Sequence, residues 1–156
     1  MISSAHICYN SKQLNLSLPF LAGYLRESLS WRVSMTQWSG YGIVVPQLLV
    51  HTPIPFLIQI ENDPDWVPEE IREIIEWENL DLESEIARKI IECDARLAIQ
   101  TTAPDQVISD GISINVSTLG MAVDPSDPNI FEVLTLLGRK VNGVIQDTVN
   151  GGVTLS

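Results

Sequence analysis

Residues 31–60 of the chain read WRVSMTQWSGYGIVVPQLLVHTPIPFLIQI, and this stretch decides the fold class. Residues 31–38 alternate in character with a period of two, which predicts a half-buried strand. Residues 43–50 form an apolar run interrupted by Pro46. This run predicts an edge strand or an irregular one, because proline has no N–H to donate to a strand ladder. Residues 56–60 predict a well-buried strand. Three successive strands argue against a doubly wound parallel sheet, which needs regular alternation of strands and helices.

Helical patterns lie on both sides of these strands. One helix is predicted to begin at Leu18 and another at Pro68, since proline is tolerated in the first helical turn. A further helix is predicted from about Leu80 to Cys93, with Leu82 on its inner face. The last helix is predicted to begin at Pro128. With the remaining alternating runs read as strands, the predicted order of elements is β-α-β-β-β-α-α-β-β-α-β-β.

This order predicts an α+β fold in which helices pack on one face of a mixed, mainly antiparallel sheet, as a two-layer sandwich. The chain has 156 residues, a length that suits a single α+β domain over residues 1–156. A domain of this size buries roughly 68–70% of the surface that its unfolded chain exposes, so it needs no disulfide or metal for stability. The apolar runs are too short to cross a membrane, and the N-terminus lacks the pattern of a secretory signal.

The cysteine content favours a cytoplasmic location. Two isolated thiols, Cys8 and Cys93, fit a reducing compartment, whereas a disulfide-stapled secreted domain would carry more cysteines. The two could form a disulfide only if their Cα atoms came within about 7 Å, which the sequence leaves open. Cysteines and histidines do not occur at metal-ligand spacing, and there is no phosphate loop or dinucleotide fingerprint. We therefore expect no metal and no cofactor.

Charge is distributed very unevenly along the chain. The net charge is −11, with only nine basic residues. Direct binding of nucleic acid or of an anionic membrane is disfavoured, because both need clustered Lys and Arg. Thirteen acidic and three basic residues lie between Glu61 and Asp94, so this segment carries ten of the eleven net negative charges. On the predicted helices these carboxylates point away from the buried isoleucines, which predicts one strongly negative surface.

This surface predicts a non-enzymatic module that binds a basic protein, since such a field accelerates association with a cationic partner. Aromatic residues within a charged rim are typical of protein-binding surfaces. A toxin-neutralising immunity protein, or another inhibitor of a basic bacterial protein, is a concrete form of this hypothesis. No catalytic residue is assigned. The predicted partner-binding residues are Asp65, Trp66, Glu69, Glu70, Glu73, Glu76 and Trp77.

The sequence also allows other interpretations. Glu-rich helix faces also serve simply to keep a chain soluble, and at least two of the four tryptophans are expected in the core. A small hydrolase-like enzyme would use a polar cleft near His51 and Cys93, or the Asp-rich loop Asp124–Asp127. A self-associating domain would form a homo-oligomer through an exposed strand edge such as residues 43–50.

Overall fold

The computed structural model describes residues 5–53, 55–101, 113–114, 128–147 and 153–155. Within these residues it contains four helices and eight strands, in the predicted order. The helices are α1 (Leu18–Leu29), α2 (Val67–Trp77), α3 (Glu85–Glu92) and α4 (Pro128–Val141). The strands are β1 (Ala5–Tyr9), β2 (Val33–Gly40), β3 (Ile43–Val50), β4 (Phe56–Glu61), β5 (Ala95–Thr101), β6 (Ser113–Ile114), β7 (Val144–Asp147) and β8 (Val153–Leu155).

The predicted α+β class is confirmed, because helices pack against a mixed, mainly antiparallel sheet in a two-layer arrangement. The chain divides into two compact units, and the single domain over residues 1–156 stays a prediction. The first unit includes the described residues of Leu16–Ile60 and Ala98–Val123. The second includes those of Ala5–Asn15, Glu61–Leu97 and Asp124–Ser156. No helix among the described residues has the length and apolar character needed to cross a membrane.

The first unit is built around the hairpin of β2 and β3. Its strand order is β6-β2-β3-β4. The two hairpin strands pair antiparallel over their whole length, from Val33 opposite Val50 to Gly40 opposite Ile43. The short strand β6 lies parallel to β2, which makes the sheet mixed. Helix α1 packs on the two hairpin strands, and the Oγ of Ser17 caps it by accepting a hydrogen bond from the backbone N–H of Phe20.

Residues 43–50 were predicted to form an edge strand because of Pro46, or an irregular one. The edge-strand prediction is wrong. Strand β3 lies between β2 and β4. Pro46 is opposite Gln37 of β2, whereas the register with β4 runs from Leu48 to Val50. The position without an N–H therefore falls outside the paired stretch of β3 and β4. An internal strand tolerates proline at such a position, because no ladder hydrogen bond is lost there.

The second unit combines the strand order β5-β1-β7-β8 with helices α2, α3 and α4. Strand β7 pairs antiparallel with both β1 and β8. Helices α2 and α3 pack together and share a core with these strands. The buried residues of this core are Cys8, Val67, Ile71, Ile74, Ile90, Cys93 and Val144.

Helix α3 is shorter than predicted. It begins at Glu85 instead of near Leu80, with the Oγ of Ser84 accepting from the backbone N–H of Ala87 at 3.2 Å. The residues before it form a turn, because the side chain of Asp81 accepts a backbone hydrogen bond that competes with helix formation. Leu82 lies in this turn and is 65% exposed, so its predicted place on the inner face is wrong. The Asp-rich loop Asp124–Asp127 lies outside the described residues.

The connection from α4 to β7 depends on close backbone packing at Gly143. Helix α4 ends as Asn142 adopts a left-handed conformation, with φ of 51°. A Cβ atom on Gly143 would collide with the carbonyl oxygen of Cys8 in β1 and would press on the side chains of Val141 and Ile7. The backbone oxygen of a central strand cannot move away easily, so only glycine fits here.

We expect Gly143→Ala to destabilise the protein by about 1–3 kcal/mol, the usual effect of overpacking a core. Gly23 is the matched control, because a Cβ atom there meets nothing within 4 Å. Gly23→Ala in the interior of α1 should stabilise by about 0.5–1 kcal/mol. Urea unfolding followed by circular dichroism measures both changes. Stability that is unchanged or increased in Gly143→Ala would show that β1 does not pack this closely.

Candidate functional site

The outer side of α2 carries the predicted acidic residues. Residues three, four and seven positions apart share one side of a helix, so Glu69, Glu73 and Glu76 lie together. All three are exposed. On the opposite side, Ile71 and Ile74 are buried in the core of the second unit. The structure therefore brings these three predicted residues together on the solvent side of one helix.

Two exposed tryptophans frame these carboxylates. Trp66 immediately precedes α2 and is 41% exposed, whereas Trp77 ends the helix and is 64% exposed. The positions 66, 70, 73 and 77 are separated by four, three and four residues, so they follow one stripe along the helix. Glu70 and Glu73 lie between the two aromatic rings on this stripe. We call the exposed residues Asp65, Trp66, Glu69, Glu73, Glu76 and Trp77 the acidic helix face.

The other two tryptophans lie in the first unit and point inward. Trp38 is 9% exposed. Trp31 is partly buried and meets the ring of Phe56 edge-on, with 6.1 Å between the ring centres. Of the at least two tryptophans expected in the core, the structure buries Trp38 of β2 and leaves Trp31 partly buried, whereas the pair at α2 is exposed.

Arg96 of β5 contacts the residues beneath this face, although no sequence pattern singles it out. Its residue exposure is only 5%. Its Nε donates to Glu61 Oε1 at 2.6 Å, and its Nη2 donates to Glu70 Oε1 at 2.8 Å. The guanidinium carbon lies 5.6 Å from the centre of the Trp66 ring, within the range of a cation–π contact. One buried side chain thus joins the end of β4, the first turn of α2 and the tryptophan before it.

Glu70 is consequently different from the other predicted residues of the site. Its carboxylate pairs with Arg96, a cation that it shares with Glu61, so part of its charge is balanced within the protein. The only sequence signal for this arrangement is a charged residue in a strand, between two apolar neighbours, Ala95 and Leu97, that are both buried. A buried charge requires a paired partner. The sequence does not say which of the thirteen carboxylates provides it.

His6 and Gln146 form a further polar contact close to Arg96. These two residues are register partners in β1 and β7, and His6 Nδ1 lies 3.2 Å from Gln146 Oε1. Burial lowers the pKa of His6, and the positive charge of Arg96 lowers it further. Burial would also lower the pKa of Arg96, but the carboxylates of Glu61 and Glu70 outweigh that effect and raise it. The guanidinium of Arg96 therefore stays positively charged, and the imidazole of His6 near it is neutral.

Most of the acidic segment remains exposed. Asp94 is held internally, because its two carboxylate oxygens accept from the backbone N–H and the hydroxyl of Ser11 at 2.8 and 2.7 Å. Among the described residues, nine other carboxylates of the segment are exposed and pair with no Lys or Arg. These nine are Asp63, Asp65, Glu69, Glu73, Glu76, Asp81, Glu83, Glu85 and Glu92.

A groove of about 390 Å³ lies beside the first turn of α2. Lys12 and Arg72 line it together with Glu92 and Asp94, so cations and carboxylates face the same space. Cys93 also contributes to its lining. Among the described residues, no group of three or more His, Cys, Asp or Glu side chains is placed to hold a metal ion.

The cysteines are free, buried and protonated. Both belong to the core between α2, α3 and the strands. The thiol of Cys93 donates to the backbone oxygen of Lys89 at 3.2 Å, and burial raises its pKa to about 12. Burial also raises the pKa of Cys8, and the nearby Cys93 raises it further. Since the thiolate is the reactive form, neither group is prepared for nucleophilic attack at neutral pH.

His51 makes its contact elsewhere, in the first unit. Its Nε2 lies 2.7 Å from the Oγ of Ser34. This distance is that of a nucleophile and its general base, but a cross-strand hydrogen bond in a sheet has the same geometry. The hydrogen bond links His51, which follows β3, to Ser34 of β2, at the end of the hairpin that lies away from its turn.

Comparison of the chain with protein-family models, with curated proteins and with solved structures gives no match.

We expect both thiols to resist Ellman's reagent at pH 8 in the folded protein and to react fully in denaturant. The raised pKa values also predict alkaline destabilisation. Above about pH 9 the unfolded thiols lose their protons while the folded thiols keep them, so the unfolded state binds fewer protons and stability falls. Burial raises the pKa of Tyr9 to about 12, which adds to this effect. Rapid labelling of either thiol under native conditions would contradict the buried core.

We expect Arg96→Met to lower the free energy of unfolding by about 3 kcal/mol, because removing the buried cation leaves the carboxylates of Glu61 and Glu70 without their shared counter-charge. The loss should lie near the low end of the range for buried pairs, because the Glu70 side chain is 39% exposed and water can solvate it. Arg72→Met is the matched control in an exposed position of α2, and it should change stability by less than about 0.5 kcal/mol. Urea unfolding compares the two variants. Equal losses of stability in the two variants would contradict a stabilising role for the buried ion pairs of Arg96.

Proposed function

We propose that this chain is a non-enzymatic module that binds a basic protein through the acidic helix face. The observation that carries the proposal is the pairing of two exposed tryptophans with the exposed Glu69, Glu73 and Glu76 on one helix. Carboxylates alone would only keep a surface solvated. Large aromatic rings at the same place add the apolar contact area that concentrates binding energy in protein interfaces.

The charge of the segment supports a cationic partner. Nine exposed carboxylates without Lys or Arg partners create a negative field around α2 and α3. Such a field raises the rate of association with a basic surface and makes the complex sensitive to salt. The same field repels nucleic acid and anionic membranes, so neither is part of the proposal.

Arg96 supports the proposal by holding part of this face in place. Its guanidinium contacts the ring of Trp66 and the carboxylate of Glu70. A side chain that is already ordered loses less conformational entropy on binding, which increases affinity without any new contact. Trp66 is therefore a preorganised anchor, whereas Trp77 at the other end of the helix is the more exposed ring.

An inhibitor of a basic protein, such as an immunity protein that neutralises a toxin, is the concrete form of this proposal. An acidic face that occupies a cationic active cleft would block it without any chemistry of its own. The protonated thiols of Cys8 and Cys93 support a non-catalytic role. A cytoplasmic location is part of the proposal, since two free thiols suit a reducing compartment.

The test is affinity capture from a lysate of the source organism at low and at high salt, with the captured protein then identified, purified and titrated. We expect a basic protein that binds at low salt and dissociates at high salt. Trp77→Ala should weaken binding by about 2 kcal/mol, as an aromatic anchor does. Phe131→Ala is the matched control, because Phe131 on α4 is 65% exposed and Trp77 is 64% exposed.

Charge reversal provides a separate measurement on the same complex. The triple variant with Glu69, Glu73 and Glu76 replaced by Lys should slow association and flatten its dependence on salt. A partner that is acidic, or that binds this variant and Trp77→Ala as tightly as the wild type, would refute the proposal.

A further inference from the structure

The groove beside the first turn of α2 has no part in the proposed function. It lies between α2, the end of α3 and the turn that follows β1, and all the residues that line it belong to the second unit. Its volume of about 390 Å³ is within the range of pockets that hold small organic molecules. The groove is therefore large enough for a ligand of its own.

The less exposed part of the lining is held in place by hydrogen bonds. Asp94 accepts from the backbone N–H and the hydroxyl of Ser11 at 2.8 and 2.7 Å. The side-chain oxygen of Asn10 accepts from the backbone N–H of Lys12 at 3.0 Å, which fixes the turn after β1. A ligand meets these groups already ordered, so it loses less free energy to their immobilisation.

Charges of both signs line the groove without pairing with one another. Lys12, Arg72 and Glu92 are exposed and come from three different segments of the unit. Over the part of the chain that the structure describes, their side chains form no ion pair and no hydrogen bond. Asp94 uses two of its roughly four acceptor positions on Ser11, so it can accept further hydrogen bonds.

Arg72 shows that this separation is not a lack of nearby carboxylates. It is the single basic residue of α2, and Glu69 and Glu76 lie three and four positions away, where helical side chains are neighbours. Arg72 pairs with neither of them and lines the groove instead. Its guanidinium is therefore free to bind an anionic group in the groove.

Apolar surface completes the lining. Pro68 of α2 and Ile91 of α3 both line the groove, and Ile91 is 44% exposed. A few polar groups that converge beside apolar surface are typical of small-molecule sites, because the polar groups orient the ligand and the apolar surface adds contact area. This lining offers two cations, two carboxylates and an apolar wall.

We propose that the groove binds a small zwitterion, an α-amino acid with an apolar side chain. The ligand carboxylate binds Lys12 and Arg72, its ammonium group binds Glu92 and Asp94, and its side chain covers Ile91. A simple anion would be repelled by the two carboxylates, and a simple cation by the two basic groups. A zwitterion satisfies both signs at once. None of these residues belongs to the acidic helix face, so the two proposals are tested separately.

Isothermal titration calorimetry with L-leucine tests the proposal. We expect saturable binding at one site of the wild-type chain. Arg72→Met and Glu92→Gln should each weaken binding at least about tenfold, because each removes a charged hydrogen-bond partner of the ligand. Arg88→Met and Glu85→Gln are the matched controls, since both residues are exposed on α3 and neither lines the groove. The controls should bind leucine as the wild type does.

Two analogues of leucine separate recognition of a zwitterion from recognition of one charge. Isocaproate lacks the ammonium group and isoamylamine lacks the carboxylate. We expect each to bind at least about tenfold more weakly than leucine. Thermal melting followed by circular dichroism confirms that the variants are folded. The proposal is overturned if leucine does not bind at concentrations up to about 10 mM. It is also overturned if either analogue binds as tightly as leucine, or if Arg72→Met and Glu92→Gln retain the wild-type affinity.

Discussion

Arg96 brings a permanent positive charge into the interior of the second unit, where an unpaired charge would be strongly unfavourable. The protein meets this requirement with two carboxylates that are far away in sequence. Glu61 lies 35 residues before Arg96, and Glu70 lies 26 residues before it. Because both must reach the same guanidinium, the end of β4 and the first turn of α2 are fixed relative to β5. This contact ties the first turn of α2 to β5, and the burial of Ile71 and Ile74 turns the acidic side of the helix outward.

This arrangement gives the acidic residues two separate roles. Glu61, Glu70 and Asp94 are held inside the unit by Arg96 and Ser11, and they stabilise the fold. The exposed carboxylates have no such partners, so their charge is directed at the solvent. A count of charges along the chain cannot separate these two groups. The separation matters for function, because only an unbalanced carboxylate attracts a cationic partner.

The elements could be predicted well because their signals are local. Prolines at the starts of α1, α2 and α4, period-two alternation in β2 and the apolar runs of β3 and β4 contributed to the correct order. Errors arose where two local preferences compete. Leu82 fits a helical stripe, but Asp81 forms a side-chain turn that delays α3. Pro46 suggested a sheet edge, yet an internal strand accommodates it beyond the pairing with β4.

The candidate site was only partly predictable for the same physical reason. Helical spacing already placed Glu69, Glu73 and Glu76 on one side of α2, and the structure agrees with that placement. The sequence alone determined the class of fold, the order of elements and the concentration of negative charge, because each depends on residues that are neighbours in the chain. Tertiary structure decided that Trp66 rests on Arg96, that Glu70 is already paired, and that Lys12 and Arg72 line one groove. Those outcomes depend on which distant segments meet, and no local pattern of residues encodes that meeting.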